Sequence, residues 1–146
     1  MATKRYYSCA KCPQRTYQRN LFDALLDLSR GLVSNCAACG GSAELHLLFD
    51  FGLGASSVEC KVLHAFLPSD LVSWKQKDGE WVTFYPFLVV MERTDVKDRA
   101  FWLPYWHTVE GTGMKKRKYG QWAPFMDEPL FKSLLAQARE KGCLPE

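Results

Sequence analysis

The spacing of apolar residues changes period along the chain, and each change marks an element. In "NLFDALLDLSRG" (20–31), Leu21, Phe22, Leu25, Leu26 and Leu28 share one face at helical spacing. Asn20 is a suitable N-cap, Asp23 sits in the favourable first turn and Gly31 supplies a stop, so a short amphipathic helix is predicted. After Gly41 the period falls to two. In "ELHLLFDF", Leu45, Leu47, Phe49 and Phe51 alternate with Glu44, His46 and Asp50, the pattern of a half-buried strand. "GLGAS" turns the chain, and "SVECKVLHAF" alternates again, predicting Val58, Cys60, Val62, His64 and Phe66 on one face.

"LPSDLVSWKQKDGE" reads as a loop ending in an Asp78-Gly79 turn. "WVTFYPFLVVMER" is apolar on both faces, as in a central strand, but Pro86 cannot donate to a ladder and predicts a bulge or break. "AFWLPYWHTV" reads as another strand with its own proline. "DEPLFKSLLAQAREKG" closes the chain as a helix, with Asp127 as cap, Pro129 in the first turn and Gly142 as stop. Its stripe is Leu130, Phe131, Leu134, Leu135 and Ala138. The order of helix, four or five strands and helix, joined by hairpin-length connections, predicts an α+β fold with a mainly antiparallel sheet.

At 146 residues the chain is long enough for a real core. The organisation predicted is a separate N-terminal module over 1–43 and an antiparallel sheet domain with a C-terminal helix over 44–146, with one integrated domain as the alternative. No run reaches the ~20 apolar residues of a membrane span. "MATKRYYSCAK" lacks the apolar core of a signal peptide, so a cytoplasmic protein is expected. Nine Phe, five Trp and six Tyr exceed what a modest core needs, which places some of them on a surface. Trp74, Trp102, Tyr105 and Trp106 are candidates for a protein partner or homodimer surface.

The cysteines carry the strongest chemical signal. Cys9 and Cys12 form one C-x-x-C pair, and Cys36 and Cys39 repeat the spacing after 23 intervening residues. Two cysteines three apart on a tight turn can aim both thiolates at one ion, and two such turns complete the tetrahedral sulfur set that zinc prefers. Gly40-Gly41 directly after the second pair permits the left-handed backbone such turns often need. A redox pair would want a strand before C-x-x-C and a helix after it, and "SCAKCPQRTYQ" shows no clear preceding strand. Four thiolates also close the shell, which favours a structural over a catalytic ion. Over about residues 5–45 the arrangement resembles the two-knuckle zinc ribbon, with Pro13 where a glycine commonly follows. The resemblance implies one structural Zn2+ per chain on Cys9, Cys12, Cys36 and Cys39.

Charge is uneven: +4 over 1–43, −4 over 44–110 and +3 over 111–146. "GTGMKKRKYGQW" places four cations, Lys115, Lys116, Arg117 and Lys118, beside Tyr119 and Trp122 in a glycine-flanked loop. A solvated surface loop and a phosphate-contacting one are both consistent with it. In the second reading the cations neutralise phosphates and the aromatics stack on bases, which makes nucleic acid the candidate partner. Arg5, Lys11, Arg15 and Arg19 are candidates to extend that footprint.

An enzyme is the remaining class. Cys60 and His64 share the predicted strand face, but four residues of strand separate them by ~13 Å. His107 lies three residues before Glu110, and His46 completes the histidines. "GLG" and "GTG" are too short for nucleotide fingerprints. Cys60 reads as a core residue.

Overall fold

The computed structural model describes the backbone over residues 2–9, 11–13, 15–17, 20–50, 57–110, 115–119 and 125–143. It is a mainly antiparallel α+β structure. The elements are β1 (Ala2–Cys9), β2 (Arg15–Tyr17), α1 (Leu21–Ser29), β3 (Ala43–Asp50), β4 (Val58–Phe66), β5 (Val72–Lys75) and β6 (Trp81–Pro86). They continue with β7 (Leu88–Arg93), β8 (Arg99–Trp102), β9 (Tyr105–Glu110), β10 (Lys115–Tyr119), β11 (Phe125–Asp127) and α2 (Glu128–Glu140). A seven-stranded sheet runs in the order β11-β8-β7-β4-β3-β1-β2, and a four-stranded sheet runs β10-β9-β6-β5.

Helix α1 forms as its ends dictate. The Asn20 side chain accepts from the Asp23 N–H at 3.1 Å. At the other end Gly31 (φ +74°) lets the Gly31 and Leu32 amides reach back to the Leu28 and Asp27 carbonyls. The helix buries Leu21, Phe22, Ala24 and Leu25. Phe22 stands edge-on to Tyr85, Phe87 and Trp106, with ring centroids 5.0, 6.0 and 5.7 Å away. That one ring joins α1 to the place where the two sheets meet. Leu45, Leu47 and Phe49 of β3 line the same core with Cys60, Val62, Val89, Met91 and Trp102.

The two prolines of the long strands meet at that junction. Strands β6–β7 and β8–β9 form one hairpin in which Pro86 opposes Tyr105 and, three steps on, Val89 opposes Trp102. The register does not slip across the gap. Phe87 donates to the Pro104 carbonyl at 2.8 Å, and Pro104, having no N–H, cannot return the bond. The ladder therefore breaks without a bulge, and its two halves enter different sheets.

A bulge does occur in β4. Val62 pairs with Met91, whereas His64 pairs with Val90, so Leu63 is an extra residue. The alternation flips behind it. Cys60, Val62 and Ala65 are buried, while His64 and Phe66 are exposed and stack on each other at 5.8 Å. The single face drawn through Val58, Cys60, Val62, His64 and Phe66 is corrected accordingly.

Three further expectations change. Part of "LPSDLVSWKQKDGE" is strand β5, and its four residues are all exposed, so no apolar alternation announces it. A strand, β1, does precede Cys9, but short β2 rather than a helix follows Cys12. Of the candidate partner-surface aromatics, Trp102 and Trp106 are core residues, and Trp74 is exposed. Helix α2 sets Phe131 against Phe101 at 4.8 Å. Leu130 and Leu134 of its stripe remain exposed.

Candidate metal centre and the basic strand

All four predicted thiols come together. The Sγ atoms of Cys9, Cys12, Cys36 and Cys39 lie within 4.8 Å of one another, and this set can hold a metal ion. Cys9 and Cys39 are 3.4 Å apart, and Cys12 and Cys36 are 3.7 Å apart. Disulfide sulfurs would sit at ~2.05 Å. A tetrahedron of sulfurs around zinc with ~2.3 Å bonds has edges of about 3.8 Å, close to these separations. None of the six cysteines is in a disulfide.

Each pair is held by its own turn. Cys9 ends β1 and faces Ala43, the first residue of β3. Strand β2 then folds back, with Ser8 opposite Arg15, so Cys12 sits in the connecting turn. The second turn is closed by the Asn35–Ser42 bridge and by bonds from Cys36 N–H to Gly41 O (2.7 Å) and from Gly40 N–H to Cys36 O (2.8 Å). Gly40 has φ +72°. A Cβ on Gly41 would lie 3.2 Å from a Lys11 side-chain carbon and 3.4 Å from Cys39 Sγ, so a larger residue would crowd both knuckles.

The turn amides act on the thiols. The Lys11 N–H donates to Cys9 Sγ at 3.4 Å and, assisted by its thiol neighbours, lowers the Cys9 pKa from 9.0 to about 6. Cys39 moves the opposite way. The Gly41 amide pulls its thiol down, but the proton shared with Cys9, partial burial and Cys36 outweigh that pull and raise it above 9.0. One sulfur of the pair thus ionises readily while its neighbour holds the proton. Such a site is ready to exchange protons for a cation. Cys60 is fully buried in the core and Cys143 is exposed beyond α2, and neither belongs to the cluster.

The four predicted cations do not lie in a loop. Lys115 to Lys118 and Tyr119 form β10, an edge strand paired with β9: Lys115 opposes Glu110, Arg117 opposes Thr108 and Lys118 opposes His107. Consecutive cations give no apolar alternation, which is why periodicity reads this segment as a loop. Trp122 lies outside the described residues, as does Arg19.

The candidate enzymatic pairs are separated. The bulge at Leu63 puts Cys60 in the core and His64 on the surface. His107 and Glu110, three apart in β9, fall on opposite faces of the strand. His46 lies 3.5 Å from Glu44, which also approaches Lys61 at 3.8 Å.

Periodicity did not single out one set of residues. Phe84, Tyr105 and His107, with Trp74 beside them, cluster on the four-stranded sheet, and the alternation within "YWHTV" is the signal that could have found them. No family model, curated protein or solved structure matches the chain. Among the described residues, no helix is long and apolar enough to cross a membrane.

Proposed function

We propose that the chain is a zinc-stabilised, non-enzymatic binding protein of the cytoplasm, whose ligand is nucleic acid held by the basic strand β10. Cys9, Cys12, Cys36 and Cys39 would hold the zinc. Four thiolates leave no open position for substrate, so the ion supplies folding energy rather than Lewis-acid chemistry. The thiol-only donor set is kept unbridged by a reducing compartment.

The observation that carries the ligand assignment is the placement of Lys115–Lys118 on the outermost strand of the four-stranded sheet. Four successive cations on an edge strand occupy alternating faces along one border of the sheet. Neutralising phosphates with such cations releases counterions, which makes binding strong at low salt and nearly sequence-independent. Converting Lys115, Lys116, Arg117 and Lys118 to neutral residues should weaken binding and lower the slope of log affinity against log salt by up to ~3–4. A parent protein that binds neither single-stranded nor duplex nucleic acid near physiological salt would end this reading.

A second reading, a protein-interaction or homodimer module, is favoured by Leu130 and Leu134 on α2, which are 55% and 47% exposed. Gel filtration or scattering separates it from the first by the mass of the isolated protein.

A further inference from the structure

We infer that the outer face of the four-stranded sheet is a stacking platform for the unpaired bases of a single-stranded nucleic acid, with Trp74, Phe84, Tyr105 and His107 as its rings. The inference rests on the nucleic-acid reading and narrows it to one substrate class.

The face is assigned by register. Trp74 opposes Val82, and Val82 opposes Val109; Val72 opposes Phe84, and Phe84 opposes His107. Directly opposed residues share a face, so these side chains form two adjacent rows across β5, β6 and β9. Tyr85 and Trp106, at the intervening positions, turn inward to the ring of Phe22. Phe84, Tyr105 and His107 therefore point away from the core.

They form one connected group. Phe84 and His107 are 5.3 Å apart and tilted by 34°, Phe84 and Tyr105 are 5.5 Å apart, and Tyr105 meets His107 edge-on at 5.7 Å. Trp74 stands edge-on to His107 at 6.0 Å and is 41% exposed. Aromatic groups normally hide such surface in a core. Here Phe84, Tyr105 and His107 are half-buried on the sheet face turned from Phe22, with Trp74 and Val72 exposed beside them and Val82 and Val109 buried on the same face.

Charge selects the occupant. Strand β10 neighbours β9, and Lys116 and Lys118 hold the register positions opposite Val109 and His107, in the rows of the aromatic face. On the far side, exposed Lys75 and Lys77 lie at the end of β5 and in the turn that follows it. An aromatic surface bordered by lysine positions fits a strand whose bases stack on the rings while its phosphates meet the lysines. A duplex keeps its bases inside and cannot use the rings. An apolar protein partner would use the rings but gain little from the cations.

The test uses the full-length, zinc-loaded protein with a fluorescein-labelled 20-mer single strand and a duplex of equal length, read by anisotropy over a salt series. Trp74→Ala and His107→Ala should each lower single-strand affinity roughly ten-fold. Both should leave duplex affinity and the salt slope unchanged. Trp74→Phe, which retains a ring, should restore binding, and the same far-UV circular dichroism and thermal midpoint for all variants would show that the fold persists. Unchanged single-strand affinity in both alanine variants, alongside loss in the variant neutralised at Lys115–Lys118, would overturn the platform and leave the basic strand standing. Equal losses on single strand and duplex would also overturn the platform. A parent protein that binds neither probe would remove both readings.

Discussion

Cys9 opposes Ala43 in the last of the eight paired positions between β1 and β3, so the four-thiol cluster begins where that ladder ends. One residue serves the ladder with its backbone and the cluster with its sulfur. Loosening the cluster therefore acts on an end of the sheet as well as on two turns.

Purified protein should carry about one zinc per chain by elemental analysis, and Cys36→Ser with Cys39→Ser should abolish it. Hydrogen exchange after chelation should rise first at residues 34–42 and 11–13, next along β1 and β2, and least in β7 and β8. Metal retained by the double variant would refute the assignment. A uniform rise across the chain would instead make the cluster a condition for the whole core.

Cys60 and Cys143 should behave as opposites. Cys60 is fully buried beneath α1 and between β3 and β7, whereas Cys143 follows the last turn of α2 and is exposed. Thiol labelling of the zinc-loaded protein should modify Cys143 within the mixing time and Cys60 only as the fold opens. Comparable rates at both would contradict the buried position.

Local chemistry explains which elements were legible. Helix α1 was readable because its cap, stripe and glycine stop are all encoded within a dozen residues, and β3 because Leu45, Leu47 and Phe49 alternate cleanly. The face of β4 was not readable beyond Val62. The bulge at Leu63 depends on pairing with β7, some 27 residues later, and nothing in the sequence around Leu63 announces it. Strand β5 was missed because all four of its residues face solvent, and β10 because a run of cations conceals any period. The convergence of the four thiols was legible because a shared ion would need only the two paired spacings. The aromatic cluster needed the register of three strands to bring Trp74 to His107.

Phe22→Ala should be among the most damaging single changes in the core. The ring is 4% exposed and touches Tyr85, Phe87 and Trp106, which come from both sides of the proline junction. Truncation leaves a cavity that three large rings cannot all collapse to fill, at about 3–5 kcal/mol by denaturant unfolding. Asn20→Ala, which removes only the cap, should cost about 1 kcal/mol. Similar losses for the two would mean that Phe22 is not the link between helix and sheets.

The thiols of the metal-free, reduced protein should titrate far apart. With the Lys11 amide donating to its sulfur, Cys9 has a pKa lowered from 9.0 to about 6, while Cys39 is raised. Iodoacetamide reacts with thiolates, so peptide mapping should show Cys9 alkylation half-maximal near pH 6 and Cys39 alkylation still rising above pH 9.0. In denaturant both should return to the ordinary range. The direction for stability follows by linkage. A thiol depressed in the folded state favours folding where only the folded form is ionised, so the Cys9 contribution is complete above pH 9.0 and disappears as pH falls through about 6. Cys39 opposes it only at alkaline pH, because its proton stays on until above 9.0. Acidification through pH 6 should therefore both loosen the metal-free turns and release metal from the loaded protein, as protons compete for the same sulfur. A native Cys9 that alkylates with a midpoint near 9.0 would show that the Lys11 amide does not hold the thiolate in place.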